Sequence, residues 1–261
     1  MPTITAEDGC PLNVEIEGRE GASVLMLSNS LGTNLHMWDD QAPEFAKHFR
    51  LVRWDRRGHG KSGTTKSPYN FALFGRDIIK ILDTLKIRKA NWCGLSMGGM
   101  DGQWLGANAP DRVEKLVLAN TNFYYADKTP WADRIKTVRE KGLKHIVGMN
   151  MERWFTKGFI ERAPDQIARM TRMFLASNLD GYIGCVEAVR DMDFRETNPR
   201  IATPTLVIVG KHDPATPPAA GEEIARTVKN GKVVALDAAH ISNVEQPHAF
   251  TDAVIGFLTQ P

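Results

Sequence analysis

The sequence predicts an α/β fold: a mostly parallel, eight-stranded sheet flanked by helices, with one inserted helical cap. Three observations predict it. Short runs rich in β-branched residues alternate with helix-period segments, as βα units around a parallel sheet require. Most of those runs are almost continuously apolar, which is how strands covered on both faces read. The alternation then stops between about Tyr124 and Asn198, where helical patterns follow one another without a strand.

Along the chain, segments near Thr3 to Ala6 and Leu12 to Glu17 read as an N-terminal hairpin turned by Asp8-Gly9. Strands follow at Val24 to Asn29, Phe49 to Asp55, Ala90 to Gly94, Lys115 to Asn120, Thr205 to Gly210 and Lys232 to Asp237, short apolar runs of strand length. Phe71, Phe74, Ile78, Ile81, Leu82 and Leu85 share one stripe at helical spacing, the core face of a helix. A helix from Met97 to about Asn108 must stop before Pro110, because proline disfavours helical geometry in the residue preceding it. A last helix, from about Gln246 to Leu258, covers the sheet near its edge. The insertion carries the patterns "WADRIKTVREKGLKHIVGM", "PDQIARMTRMFLASN" and "DGYIGCVEAVRDM". The chain therefore divides into a core of residues 1–123 and 199–261 and a cap of residues 124–198. Met149, Met151, Met170, Met173 and Met192 in the cap suit a pocket roof, though filling the cap's own small core is the commoner role.

Composition narrows the function. Apolar residues at 42% and charged residues at 25% describe an ordinary globular chain, long enough for a full core. The formal charge of +2 is scattered with no basic block, so nothing points to nucleic acid or an anionic membrane as partner. "MPTITAEDGC" shows no basic segment followed by an apolar one, and no stretch approaches a membrane span, so a cytoplasmic protein is expected. Cys10, Cys93 and Cys185 form no C-x-x-C pair and read as free thiols, Cys93 as a packing residue. No cluster has metal-ligand spacing and no glycine-rich nucleotide loop is present, so no metal or cofactor is expected. The chemistry must come from side chains.

It centres on Asn91 to Met100, "NWCGLSMGGM". Glycine persists where the backbone turns sharply or is closely approached. Gly94-Leu95-Ser96-Met97-Gly98 fits G-x-S-x-G, in which a strained strand-to-helix turn lifts a serine hydroxyl above a parallel sheet. Chance supplies roughly 0.1 such matches in a chain of this length, so context decides between this elbow and an ordinary glycine-rich loop. A serine hydroxyl is a poor nucleophile until a base takes its proton, and in this arrangement an acid and then a histidine follow along the chain. Among seven histidines, His240 follows a strand in "LDAAHISNVEQP", whereas His48, His145 and His248 lie in helical or charged surroundings. Asp213, in "TLVIVGKHDPATPP", sits just past another strand, and catalytic groups of open parallel sheets gather beyond strand carboxyl ends. Asp101 and Asp127 are weaker rivals, and His212 reads as a loop residue. Oxyanion donors are expected from the backbone N–H of Met97 and of Leu31, the latter in the loop Ser28-Asn29-Ser30-Leu31-Gly32.

Together, "SNSLGTNLHMWD", "VRWDRRGHGKS", "CGLSMGGM", "PDRVEKLVLANT", "GKHDPATPP" and "AAHISNVEQP" resemble the α/β-hydrolase superfamily across nearly the whole chain outside the cap. Within it, "SNSLGTNLHMW", "DRRGHGKS" and "GLSMGG" are similar to the 3-oxoadipate enol-lactonases of aromatic-compound degradation. The chain departs from the superfamily in one place, carrying Asn29-Ser30 where a His-Gly pair is usual. The resemblance implies opening of 3-oxoadipate enol-lactone to 3-oxoadipate, with Ser96 as nucleophile, His240 as base, Asp213 as its orienting acid, and Leu31 and Met97 holding the oxyanion. It also implies a substrate carboxylate, which arginine suits through its bidentate geometry. The cap offers Arg134, Arg139, Arg153, Arg162, Arg169, Arg172 and Arg190, most of which must be solvated surface residues. Arg134 is carried forward with Trp131 and Trp154 as candidate pocket walls, both tryptophans reading equally well as cap core. Arg56-Arg57, with His59 and Ser62, resembles a structural turn of the superfamily.

The same set fits a broad carboxylesterase, a hydrolase of carbon–carbon bonds or a cofactor-free perhydrolase. Epoxide hydrolases and haloalkane dehalogenases are disfavoured, because their elbows carry Asp where this chain has Ser96. A non-catalytic ligand receptor on this fold would show stoichiometric turnover at best.

Overall fold

The computed structural model describes residues 3–260. Its strands are β1 (Thr3–Thr5), β2 (Pro11–Gly18), β3 (Val24–Ser28), β4 (Arg50–Trp54), β5 (Ala90–Leu95), β6 (Val113–Ala119), β7 (Thr205–Gly210) and β8 (Gly231–Leu236). They form one sheet in the order β1-β2-β4-β3-β5-β6-β7-β8. The β1–β2 and β2–β4 pairs are antiparallel and the rest parallel, the sheet that the sequence predicts, with strand ends moved by a residue or two.

The apolar runs fill both faces because successive strand side chains point to opposite sides. Leu25, Leu27, Cys93, Leu95, Val117, Ala119, Leu206 and Ile208 enter one buried layer, while Met26, Trp92, Leu116, Leu118, Val207 and Val209 enter the other. β8 lies at the edge and exposes several positions, Val233 being 41% exposed.

The helix Phe71–Thr84 starts at Asn70, whose side chain accepts a hydrogen bond from Leu73 N at 2.9 Å, and it buries Phe71, Phe74, Ile78, Ile81 and Leu82. The helix Met97–Asn108 ends ahead of Pro110, and Pro247–Leu258 is the last helix. Among the described residues no helix is long and apolar enough to cross a membrane.

Between β6 and β7 lie five α-helices: Thr129–Lys141, Val147–Trp154, Lys157–Arg162, Pro164–Leu175 and Leu179–Asp191. Sequence patterning shows three, and the difference has physical causes. The first pattern breaks at Gly142, which caps Thr129–Lys141 with φ 73°, a left-handed conformation that lets the chain turn. Lys157–Arg162 is a short helix that Thr156 initiates by accepting from Phe159 N at 3.3 Å, too brief to show a period. The two stems of the insertion meet at an antiparallel bridge between Tyr124 and Asp193, and Phe194 N donates to Phe123 O at 2.9 Å. On the opposite side Gly58 meets Gly181 backbone to backbone: a Cβ on Gly58 would lie 2.4 Å from Gly181 Cα. Met151, Met170, Met173 and Met192 are buried in the core cluster and Met149 is exposed, so the methionines fill rather than roof.

Candidate active site

β5 ends at Leu95, and Ser96 turns the chain into the helix Met97–Asn108 with φ 58° and ψ −114°. A serine holds that conformation only when its surroundings over-determine it. Ser96 N donates to Ala119 O at 2.8 Å, and Thr121 Oγ1 donates to Ser96 O at 2.7 Å. The glycines close the turn. A Cβ on Gly94 would lie 2.0 Å from Gly98 O, and one on Gly98 would lie 2.2 Å from Ser28 O. Only hydrogen fits at either position.

His240 and Asp213 follow the carboxyl ends of β8 and β7, and the sheet order brings both to Ser96. With its proton on Nδ1, His240 donates to Asp213 Oδ2 at 2.8 Å, and its Nε2 accepts from Ser96 Oγ at 2.9 Å. Asp213 Oδ1 also accepts from Ala215 N at 2.8 Å and Thr216 N at 2.9 Å, and Oδ2 from Thr216 Oγ1 at 2.7 Å. Burial opposes its ionisation, but the charge and hydrogen bond of His240, with the Thr216 donors, outweigh it and hold the carboxyl at about 2.

Two supporting residues escaped sequence reasoning. Asn120, with φ 43°, donates from Nδ2 to Asp213 Oδ2 at 3.1 Å and to Ala239 O at 3.0 Å, while its Oδ1 accepts from Ser242 Oγ. The signal was an Asn at the end of the buried run "KLVLAN", since Asn tolerates left-handed backbone. Glu245 was missed too. Its carboxylate accepts from Ala239 N at 2.9 Å and from Thr156 of the insertion, while Ile241 N donates to Trp154 O at 3.0 Å. Both neighbours of His240 are thereby tied toward the insertion.

Leu31 and Met97 line the same cavity as Ser96 and His240. Met97 opens its helix, where the first N–H groups have no intrahelical carbonyl. The Leu31 loop is braced from behind: Asn29 Nδ2 donates to Trp54 O at 2.7 Å, and Gly32 N donates to His59 Nε2 at 3.0 Å. Burial, reinforced by the Arg56 charge, lowers His59 to about 4, so the ring is neutral and free to accept. The turn containing Arg56-Arg57 and His59 is thus structural, and it props the expected oxyanion loop. Arg56 pairs with buried Asp101, which also accepts from Ser28 Oγ at 2.9 Å. Asp101 is therefore committed away from His240. Asp127 is exposed and accepts from Thr129 N at 2.9 Å, and exposed His212 contacts Asp237 at 2.8 Å. His48, His145 and His248 are exposed.

Trp131, Arg134 and Trp154 all line the cavity from above, and Tyr125, Asn150 and Arg153 join them. Trp154 is also part of the main hydrophobic core, edge-on to Phe174 at 5.7 Å. Arg134 Nη1 donates to Tyr182 Oη at 2.8 Å, and its guanidinium lies 5.5 Å from the centre of the Trp131 ring. Burial, and then the charge of Arg134, lowers the pKa of Arg153. Arg139, Arg169 and Arg190 are paired with Glu187, Asp40 and Asp191. Among the described residues no carboxylate pairs with Arg134 or Arg153. The arrangement can activate a hydroxyl beneath and hold an anion above.

Residues 23–247 match the family model of the alpha/beta hydrolase fold. The chain is 40% identical to 3-oxoadipate enol-lactonase 2 of Acinetobacter baylyi over 97% of this chain and 94% of that protein. It is 35% identical to 3-oxoadipate enol-lactonase 1 of the same organism over 98% and 96% of the two chains. Among solved structures, the enol-lactonase from Burkholderia xenovorans LB400 is similar with a TM-score of 0.97 at 40% identity, covering 99% of this chain and 100% of that one. A hydrolase from Pseudomonas aeruginosa gives 0.96 at 41% identity, covering 99% and 98%. With its sheet and its sequence matched along almost their whole length by these proteins, the chain belongs to the α/β-hydrolase family.

Proposed function

We propose that the protein is a serine hydrolase that opens the lactone ring of 3-oxoadipate enol-lactone to give 3-oxoadipate in aromatic-compound degradation. One observation carries this reading: a serine hydroxyl bonded to a buried imidazole–carboxylate pair lies beneath a roof holding two guanidinium groups that have no carboxylate partner among the described residues. The names of the two Acinetobacter relatives support it.

His240 takes the Ser96 proton as Oγ bonds to the lactone carbonyl carbon, and the N–H groups of Leu31 and Met97 donate to the oxyanion that forms. Asp213 keeps the imidazole in the required tautomer and stabilises its cation. When the tetrahedral carbon collapses, the ring C–O bond breaks, and the departing enol oxygen takes the proton from His240 and tautomerises to a ketone. A water deprotonated by His240 then attacks the acyl carbon, Ser96 regains its proton, and the acyl chain leaves as a carboxylate. The substrate's own carboxylate faces Arg134 and Arg153, with Trp131 and Trp154 against the ring. A neutral-ester esterase has no use for that uncompensated positive charge. Three buried free thiols, Cys10, Cys93 and Cys185, suit a reducing cytoplasm.

The test is steady-state hydrolysis of 3-oxoadipate enol-lactone, a neutral lactone and p-nitrophenyl acetate by the wild type and by Ser96→Ala. Efficient turnover of the enol-lactone, lost in the variant and far weaker on the neutral compounds, is expected. Equal activity on all three would make the protein a general esterase, and none on any would bring a ligand receptor forward.

A further inference from the structure

Among the polar groups of the cavity that have no part in the scheme above, Asn150 stands apart. Asn150 is 2% exposed, lines the cavity with Ser96 and His240, and its Nδ2 finds no hydrogen-bond partner among the described residues. Four other buried asparagines are structural donors. Asn29 Nδ2 donates to Trp54 O at 2.7 Å, Asn120 to Ala239 O at 3.0 Å, Asn198 to Gln103 Oε1 at 2.8 Å and Asn243 to Met37 O at 2.9 Å. A buried amide N–H left without an acceptor is costly, so it persists where a ligand supplies the acceptor.

Its surroundings say which acceptor. Asn150 and Arg153 lie one turn apart on the helix Val147–Trp154, spaced to share a face, and both line the cavity beside Arg134. Arg134 is fixed by Tyr182 Oη at 2.8 Å and by the Trp131 ring. Two cations already crowd this corner, and burial with the charge of Arg134 lowers the pKa of Arg153. An ionised carboxylate offers about four lone-pair sites. A neutral amide can fill one of them without adding a third positive charge.

We propose that Asn150 donates from Nδ2 to the substrate carboxylate and, with Arg153, sets the preference for a carboxylate-bearing lactone over a neutral ester. This rests on the reaction proposed above and names its recognition residues.

The experiment measures kcat/KM for 3-oxoadipate enol-lactone and for p-nitrophenyl acetate, with inhibition by adipate and Tm, in Asn150→Leu, Asn150→Asp, Arg134→Leu and Arg153→Leu. In Asn150→Leu the lactone-to-ester ratio falls at least tenfold, mainly through KM, adipate inhibition weakens in parallel, and Tm is unchanged or higher. Asn150→Asp keeps the size but sets a carboxylate against the substrate's, and the ratio falls at least a hundredfold. The proposal is overturned if the ratio in Asn150→Leu stays within twofold of wild type while Arg153→Leu lowers it. It is equally overturned if both substrates decline together with a Tm lower by several degrees, which is the mark of a packing residue. If the ratio resists both arginine substitutions as well, the carboxylate-bearing substrate itself is wrong and this inference goes with it.

Discussion

The polar groups in the floor of the cavity are bonded to one another, whereas those in its roof have few partners. Asp213 accepts from His240, Thr216, Ala215 and Asn120, and Ser96 is held in a left-handed turn by the bond from its N–H to Ala119 O and the bond from Thr121 Oγ1 to its carbonyl. Overhead, Asn150 Nδ2 lacks an acceptor and Arg153 lacks a carboxylate among the described residues. The contrast separates two tasks. Proton transfer and oxyanion binding gain from groups already oriented before the substrate arrives. Recognition gains from donors that the ligand alone completes, because a donor already paired must be unpaired before it can bind.

If that division is right, changes in the floor reduce turnover of every substrate alike. Ser96→Ala should lower kcat by roughly 10⁶-fold and Asp213→Asn by roughly 10⁴-fold, on the enol-lactone and on p-nitrophenyl acetate equally. Stopped assays on both substrates, read as a ratio, check this. A floor variant that spared one substrate would break the comparison.

The roof should behave in the opposite way. A charge-assisted hydrogen bond contributes about 1.5–3 kcal/mol, so Arg134→Leu or Arg153→Leu should lower kcat/KM for the enol-lactone by roughly 10- to 100-fold. The loss should appear in KM, and the lactone-to-ester ratio should fall with it. Equal losses on both substrates would show that these arginines support the cap rather than read an anion.

The same contrast explains what was legible in the sequence. The floor is specified by short-range backbone demands: glycines at Gly94 and Gly98 that admit no Cβ, and loops that leave strands at Asp213 and His240. Such demands write themselves as motifs. The supports are less visible, because Asn120 and Glu245 reach their partners through side chains whose direction only the packed fold defines. In the roof the sequence offers seven arginines on amphipathic helices, and none of their spacings distinguishes Arg153, over the cavity, from Arg139, paired with Glu187. The break at Gly142 was hidden likewise, since a long charged run reads as one helix until a left-handed glycine ends it.

The smallest effect tests whether the proposed oxyanion loop belongs to the floor. His59, lowered to about 4 by burial and the Arg56 charge, accepts from Gly32 N at 3.0 Å only while neutral. The unfolded chain protonates this histidine near its ordinary 6.5, whereas the folded protein resists until about 4. Between those values the unfolded state therefore binds more protons. The stability tied to a neutral His59 is complete above 6.5, declines by about 1.4 kcal/mol per pH unit as pH falls through that window, and changes no further below about 4. Asp213, held at about 2, loses its contribution only at lower pH, as the pH falls from 3.8 through 2, so the two windows do not overlap. His59→Asn retains an acceptor for Gly32 N and should remove the upper slope in denaturant unfolding measured across pH, while lowering kcat only several-fold on both substrates. A slope that persists in His59→Asn would assign it to another group. A change in the lactone-to-ester ratio would move this loop from the floor to the roof.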